Sequence, residues 1–249
     1  MIIFISGTGT DVGKTYVNME LNTLLMSRKY NIISIKPIET GISNDLCDLD
    51  CHDLTASSLA MIENCAKNRH CDATKSPKQS ITDAYLHAQN QSAPKNINEI
   101  CFYRFALPAA PFVADSQNII DIDFLKNKIK ALEKKCDILL VEGAGGLFVP
   151  IKHNYFFIDL INDLGSKLRE SKLLCLLISH DKLGCIDMIL SHREALARRN
   201  IDFISIVNLF NESQFMQVSY PFLRNLERNF VFQYQKRDIL EFIVRFIKS

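Results

Sequence analysis

The sequence predicts an α/β fold: a doubly wound, mostly parallel sheet flanked by helices. Three observations lead there. Five short apolar runs have strand length and no strict alternation, stretches with helical apolar spacing lie between them, and a glycine-rich loop joins the first run to the first helix. Strands that are apolar on successive residues suit a sheet covered on both faces. Strand alternating with helix implies right-handed βαβ units.

The strands are expected at Ile2–Ser6, Asn31–Lys36, Asp137–Gly143, Lys172–Ser179 and Asp202–Asn208, all rich in Ile, Val, Leu or Phe. Helices are expected at Lys14–Lys29, Asp121–Cys136 and Cys185–Asn200. The second of these starts with acids and ends with lysines, which suits the helix dipole. The C-terminal segment "RDILEFIVRFIKS" is amphipathic and is expected to form a helix packed on the sheet.

From about Gly41 to Pro111 the chain changes character. It is polar and weakly periodic, and it separates two strands by far more than a crossover needs. This segment reads as an insertion of helices and loops beside the sheet, over the active site, within one domain spanning residues 1–249.

Composition narrows the function. The 249 residues can bury a core without staples. Lys plus Arg number 29 against 28 Asp plus Glu, and no basic run stands out, so no nucleic-acid or anionic-membrane partner is expected. The longest apolar runs, such as Leu173–Ile178, fall far short of a membrane span. The N-terminus lacks a basic leader region, and a cytoplasmic location is expected. The eight cysteines, with Cys136 and Cys175 inside apolar runs, read as reduced thiols. Cys47, Cys51, His52, Cys65, His70 and Cys71 are zinc-ligand types, but they contain no C-x2-C pair, so a structural zinc is not expected.

The loop itself reads "GTGTDVGKT" over Gly7–Thr15. A phosphate-binding loop follows G-x-x-x-x-G-K-[ST]. Here Thr8 stands where the first glycine belongs, and Gly7 precedes Gly13 by a spacer of five residues. The context is nevertheless that of a phosphate site, because the loop follows a strand and opens a helix. Glycines let backbone N–H groups turn toward an anion, and the helix N-terminus adds partial positive charge. Asp11, Val12, Gly13, Lys14, Thr15 and Tyr16 are expected to line a nucleotide, with Lys14 reaching the β- and γ-phosphates and Thr15 offering its hydroxyl to Mg²⁺. The extra residue should let Thr10 and Asp11 face the phosphates or a cosubstrate. The fold is therefore expected to be of the P-loop NTPase type.

Two more segments point into the same crevice. In "SIKPIETG", Lys36 sits where the second strand ends, and Pro37 biases it to an extended backbone. In "LLVEGAGGLFVP", a buried strand ends on Glu142, matching the carboxylate that helps hold Mg²⁺ in P-loop enzymes. The following glycines, Gly145 among them, allow close approach of a ligand to the backbone.

Together the long loop "GTGTDVGKT", "KPIETG", "VEGAGG" and "KLGCID" (Lys182–Asp187) resemble dethiobiotin synthetase. They occur in the family's order over most of the chain, and "FYRFALPAAP" resembles a further family element. The resemblance implies that the chain joins CO₂ to 7,8-diaminopelargonic acid using ATP and Mg²⁺. An amine captures CO₂ as a carbamate, the carbamate attacks the γ-phosphate, and the second amine closes the ring. It further implies that Lys14 and Lys36 stabilise carbamate and γ-phosphate charge. Thr10 lies near the carbamate, and Thr40 hydrogen-bonds the substrate. Thr15, Asp53 and Glu142 hold Mg²⁺ directly or through water, with Asp48 and Asp50 as neighbouring alternatives to Asp53. The helix start at Gly184, Cys185 and Ile186 is placed against the substrate carboxylate across a homodimer interface.

The chain departs from the family in two places. Asp187 stands where the family usually has asparagine, so the backbone amides, rather than Asp187, are expected to meet the carboxylate. Asn208 matches an adenine-contacting asparagine, but the Gly-Pro segment that should follow is replaced by "NFVFQYQKRDILEF". Phosphates are then expected to supply most nucleotide affinity, with loose base selectivity. The alternatives are a related P-loop synthetase with another substrate, and a ParA/MinD-like nucleotide switch. Such switches usually carry an extra lysine where this chain has Gly9, and its absence together with Lys36 favours an enzyme.

Overall fold

A computed structural model describes residues 1–42, 83–89, 96–167, 172–225, 230–232 and 236–248. Its centre is a six-stranded sheet of β1 (Ile2–Gly7), β2 (Ile32–Ile35), β5 (Ile138–Gly146), β8 (Leu173–His180), β9 (Phe203–Asn208) and β10 (Phe230–Phe232). The strand order is β10-β9-β8-β1-β5-β2, and every neighbouring pair is parallel. The expected doubly wound sheet is present.

Successive strand residues feed opposite cores, which explains why these strands do not alternate with polar residues. Ile2, Phe4, Leu139 and Val141 belong to one cluster, with α5 (Ile122–Glu133), α6 (Phe157–Lys167) and α7 (Cys185–Arg198). Ile3, Ile5, Ile138 and Leu140 belong to the other, with α1 (Lys14–Ser27) and the C-terminal helix Lys236–Lys248. The amphipathic C-terminal segment therefore covers the sheet on the α1 side. Among the described residues, no helix is long and apolar enough to cross a membrane.

Several boundaries differ from the sequence expectation. α1 stops at Ser27 because Lys29 takes the left-handed region (φ 65°), and α7 stops at Arg198 ahead of Asn200 (φ 52°). The α5 helix is shorter than expected at both ends. Asp121 is its cap, accepting from the Asp123 and Phe124 amides, and the helix closes at Glu133. β5 does not stop at Gly143. It continues through the glycines to Gly146, which pairs with Gly7 beyond an irregularity in β1. A Cβ at Gly146 would lie 3.0 Å from the Gly7 carbonyl oxygen, so the absent side chain is what permits this close pairing.

The described part of the insertion contains more than helices and loops. β3 (Ile38–Thr40) pairs in parallel with β4 (Tyr103–Phe105), beside α2 (Asp83–Gln89), α3 (Ile97–Ile100) and α4 (Pro111–Ala114). Strands of three residues are too short to show a period of two. Here Pro37 anchors the pair, its carbonyl accepting from the Phe102 and Tyr103 amides at 3.0 and 3.1 Å. A hairpin of β6 (Pro150–Lys152) and β7 (Tyr155–Phe156) follows β5. The cysteine- and histidine-containing segment from Cys47 to Cys71 lies outside the described residues.

Candidate active site at the carboxyl ends of the strands

The sheet register builds the site. Ile35 pairs with Val141 and Ile5 pairs with Glu142, so Lys36, Glu142 and the glycine-rich loop leave adjacent strands at the same end. Ile138 and Leu140 face α1, and the period of two carries Glu142 to that face as well. There it meets Thr15 and Asn18, which stand three positions apart on one face of α1.

The loop delivers a helix start without a side-chain cap. Gly13 occupies the N-cap position at φ 90°, and no acidic residue lies in the first turn of α1. Lys14 and Val12 are buried, while Thr10, Asp11 and Tyr16 are exposed. Lys14 Nζ donates to the Gly9 carbonyl at 2.9 Å. Burial holds the Lys14 ammonium below its ordinary pKa; Glu142 offsets part of that and Lys36 adds to it.

Glu142 is the centre of charge. Its carboxylate is 0% exposed and receives Thr15 Oγ1 at 2.8 Å, His87 Nε2 at 3.0 Å, Asn18 Nδ2 at 3.3 Å and Lys36 Nζ at 3.3 Å. Burial alone would raise its pKa, yet the Lys36 charge, His87 and the Thr15 hydroxyl together hold it well below the usual carboxylate range. The adjacent oxygens of Thr15 and Glu142 could serve a small hard cation.

Lys36 is paired on both sides, with Glu142 and with Asp83 of α2. Burial opposes its charge, but Glu142, Asp83 and Glu39 outweigh that and hold the ammonium above its ordinary pKa. Glu39 in turn caps α2, accepting from the Asp83 amide at 2.7 Å and the Ala84 amide at 3.3 Å. Lys36 thus ties an insertion helix to the end of β2.

The other expected residues are placed unevenly. Thr40 ends β3 half-buried, and Gly145 lies half-buried in the last turn of β5. Gly184 caps α7 and is exposed, with no side-chain cap bond. The Cys185 side chain is buried, its Sγ donating to Ser219 Oγ at 3.5 Å, so only its backbone could meet a ligand. Ile186 is half-buried and Asp187 exposed. Asn208 Nδ2 donates to the Val12 carbonyl at 3.2 Å. Asp53, with Asp48 and Asp50, lies outside the described residues.

The sequence reading missed Asn18, Ser34, Glu39, Asp83 and His87. Asn18 carried a usable signal, its helical spacing from Thr15. Ser34 did too, lying two residues before Lys36 on the same strand face. Asp83 and His87 stand four apart on α2, but nothing in a polar insertion announced where that helix docks.

A family model described as "AAA domain" matches residues 2–240. An ATP-dependent dethiobiotin synthetase BioD from Sulfurovum sp. (strain NBC37-1) is 36% identical over 222 residues, covering 88% of each chain. The protein of the same name from Wolinella succinogenes is 31% identical over 229 residues, covering 88% of this chain and 87% of its own. Among solved structures, a plasmid partition protein from Borrelia burgdorferi superposes with a TM-score of 0.53 at 12% identity, covering 98% of each chain. At that identity the likeness is one of fold.

Proposed function

The chain belongs to the dethiobiotin synthetase family, and on that premise we propose that the site at the strand ends performs the ATP-dependent closure of 7,8-diaminopelargonic acid with CO₂ to dethiobiotin. The observation that carries this reading is the joining of Lys36 to Glu142 Oε1 at 3.3 Å beside Thr15 and the phosphate loop. Phosphoryl transfer needs positioning and charge neutralisation more than a protein nucleophile. Lys36 paired with a buried carboxylate, Lys14 close enough to feel the same charge, and the Cys185 thiol turned into the core toward Ser219 match that need.

In this reading the uncapped start of α1 and the loop amides of Val12 and Gly13 cradle the phosphates. Lys14 leaves the Gly9 carbonyl for the β- and γ-phosphates. Lys36 holds the carbamate oxygens in line with the γ-phosphate, and Thr10 and Thr40 fix the diamine. The metal site passes a test of donor chemistry: Thr15 and Glu142 offer hard oxygens whose owners hydrogen-bond at 2.8 Å, and Glu142 is held ionised. Thr15, Glu142 and Asp53 would hold Mg²⁺, which when bound supplies neutralisation of β- and γ-phosphate charge. Among the described residues no three His, Cys, Asp or Glu side chains form a metal cluster by themselves.

The amides at Gly184, Cys185 and Ile186 would receive the substrate carboxylate, with Asp187 turned to solvent. As the resemblance implies, that contact would lie in a homodimer interface, with Leu183 80% exposed at this helix start. The two cores share one sheet, which supports a single domain for residues 1–249 with an insertion at about 41–111. A cytoplasmic enzyme with reduced thiols fits the free Cys101, Cys136, Cys175 and Cys185. The deciding experiment is phosphate release from ATP on adding 7,8-diaminopelargonic acid and bicarbonate, with Lys36→Ala as control. Release that ignores the diamine would refute the proposal.

A further inference from the structure

The four partners of Glu142 divide by oxygen. Oε1 receives Thr15 Oγ1 and Lys36 Nζ, the two groups assigned above to metal and substrate. Oε2 receives Asn18 Nδ2 at 3.3 Å and His87 Nε2 at 3.0 Å, neither assigned to any ligand. An ionised carboxylate only accepts, with about four lone-pair sites, so these partners fill it. His87 Nε2 must therefore be the donor in its contact with Glu142.

The Oε2 side is a closed scaffold. Asn18 is 1% exposed and His87 2% exposed. Ser34 Oγ, buried beneath them on β2, lies 2.7 Å from His87 Nδ1 and 3.0 Å from Asn18 Oδ1. Helix, strand and insertion each contribute one member. The Oε1 side, by contrast, is held by groups that must turn toward ligands during the reaction.

We propose that His87, with Asn18, is a positioning residue that clamps Glu142 Oε2, so that Oε1 alone is presented to the metal. This inference rests on the reading of Glu142 as a magnesium ligand. It assigns α2 two tasks from one face: Asp83 engages Lys36, and His87, one turn later, engages the Lys36 partner Glu142. Partners behind metal ligands typically matter by about 10–100-fold in metal affinity. His87 acts through Glu142 and touches no substrate atom in this scheme.

The test is Mn²⁺ binding to the full chain at saturating ADP, read by electron paramagnetic resonance, with metal-free ADP binding measured in parallel. His87→Phe keeps a buried ring and removes the donor; it should weaken Mn²⁺ at least about tenfold while metal-free ADP affinity stays within about threefold. His87→Gln restores a donor and should recover most of the loss. The half-saturating Mg²⁺ concentration for turnover should rise in parallel, with the diamine KM unchanged. Asn18→Leu should weaken Mn²⁺ in the same direction, and it carries the test if His87→Phe fails to melt cooperatively. Wild-type Mn²⁺ affinity in both variants, a glutamine variant no better than phenylalanine, or an equal loss of metal-free ADP binding would each overturn the inference. If Glu142→Gln binds Mn²⁺ as the wild type does, the reading of Glu142 itself fails, and the two failures are distinct.

Discussion

Asn208 Nδ2 donates to the carbonyl of Val12 at 3.2 Å, so the last residue of β9 is tied to the phosphate loop. The same amide nitrogen would lie 1.9 Å from a Cβ placed on Gly13. Loop geometry at the helix start and the orientation of Asn208 are therefore one problem with one solution.

That coupling gives the first prediction. Gly13→Ala meets both a φ of 90° and the Asn208 amide, and should destabilise the protein by about 1–3 kcal/mol. Asn208→Ala removes the clash but not the strain. The double variant should recover part of the loss, with a coupling of about 0.5–1 kcal/mol in a double-mutant cycle of urea melts. Strict additivity would show that Asn208 does not confine the loop.

A second prediction concerns the base. Asn208 is the residue matched to adenine contact, and its amide nitrogen is engaged by Val12. Without the expected Gly-Pro segment after it, affinity should come mainly from phosphates. GTP and CTP should compete with ATP within about tenfold, a difference of about 1.4 kcal/mol. An ATP preference of several hundredfold in a competition assay would reject loose selectivity.

A third concerns Lys14. Its buried ammonium is disfavoured by desolvation and placed against a carbonyl, so its value to folding is small and its value to a phosphate is large. Lys14→Met should lower kcat by about 10²–10³-fold, the loss typical of one preorganised electrostatic contact. Its urea midpoint should correspond to a stability change within about 1 kcal/mol. A collapse of stability with preserved turnover would reverse the assignment.

These residues show what the sequence could reveal. Gly13, Lys14 and Thr15, Lys36, and Glu142 were legible because each sits at a fixed offset from a strand end. Parallel pairing with Ile35 beside Val141 then brings two of them together without further information. β5 running on to Gly146 was not legible, because glycines read as loop unless their partner Gly7 is known to approach. His87 and Asp83 were hidden for a different reason. The docking of α2 is decided by tertiary contacts, chiefly Glu39 at its start and Lys36 and Glu142 on its face, and no local period encodes those.

The last prediction follows from the charges of that cluster. Glu142 is held below its reference pKa of 4.5, so its contribution to stability is fully present above that value and is lost as pH falls toward the folded value. Lys36 is held above its reference of 10.5, so its contribution is present below that value and fades only as pH rises toward its folded one. Between about pH 5 and pH 10 the pair should add no slope of its own. Lys36→Met separates the two effects. It removes the ammonium that outweighs burial, so desolvation should raise the Glu142 pKa and move its acid limb to higher pH. Urea midpoints of the nucleotide-free protein from about pH 3 to pH 9 should show that shift, with a slope of about 1.4 kcal/mol per pH unit for one proton. Glu142→Gln introduced into the same background should abolish the shifted limb. Parallel profiles for the wild type and Lys36→Met would mean that Lys36 does not govern the charge of Glu142, and the electrostatic account of the site would fall with it.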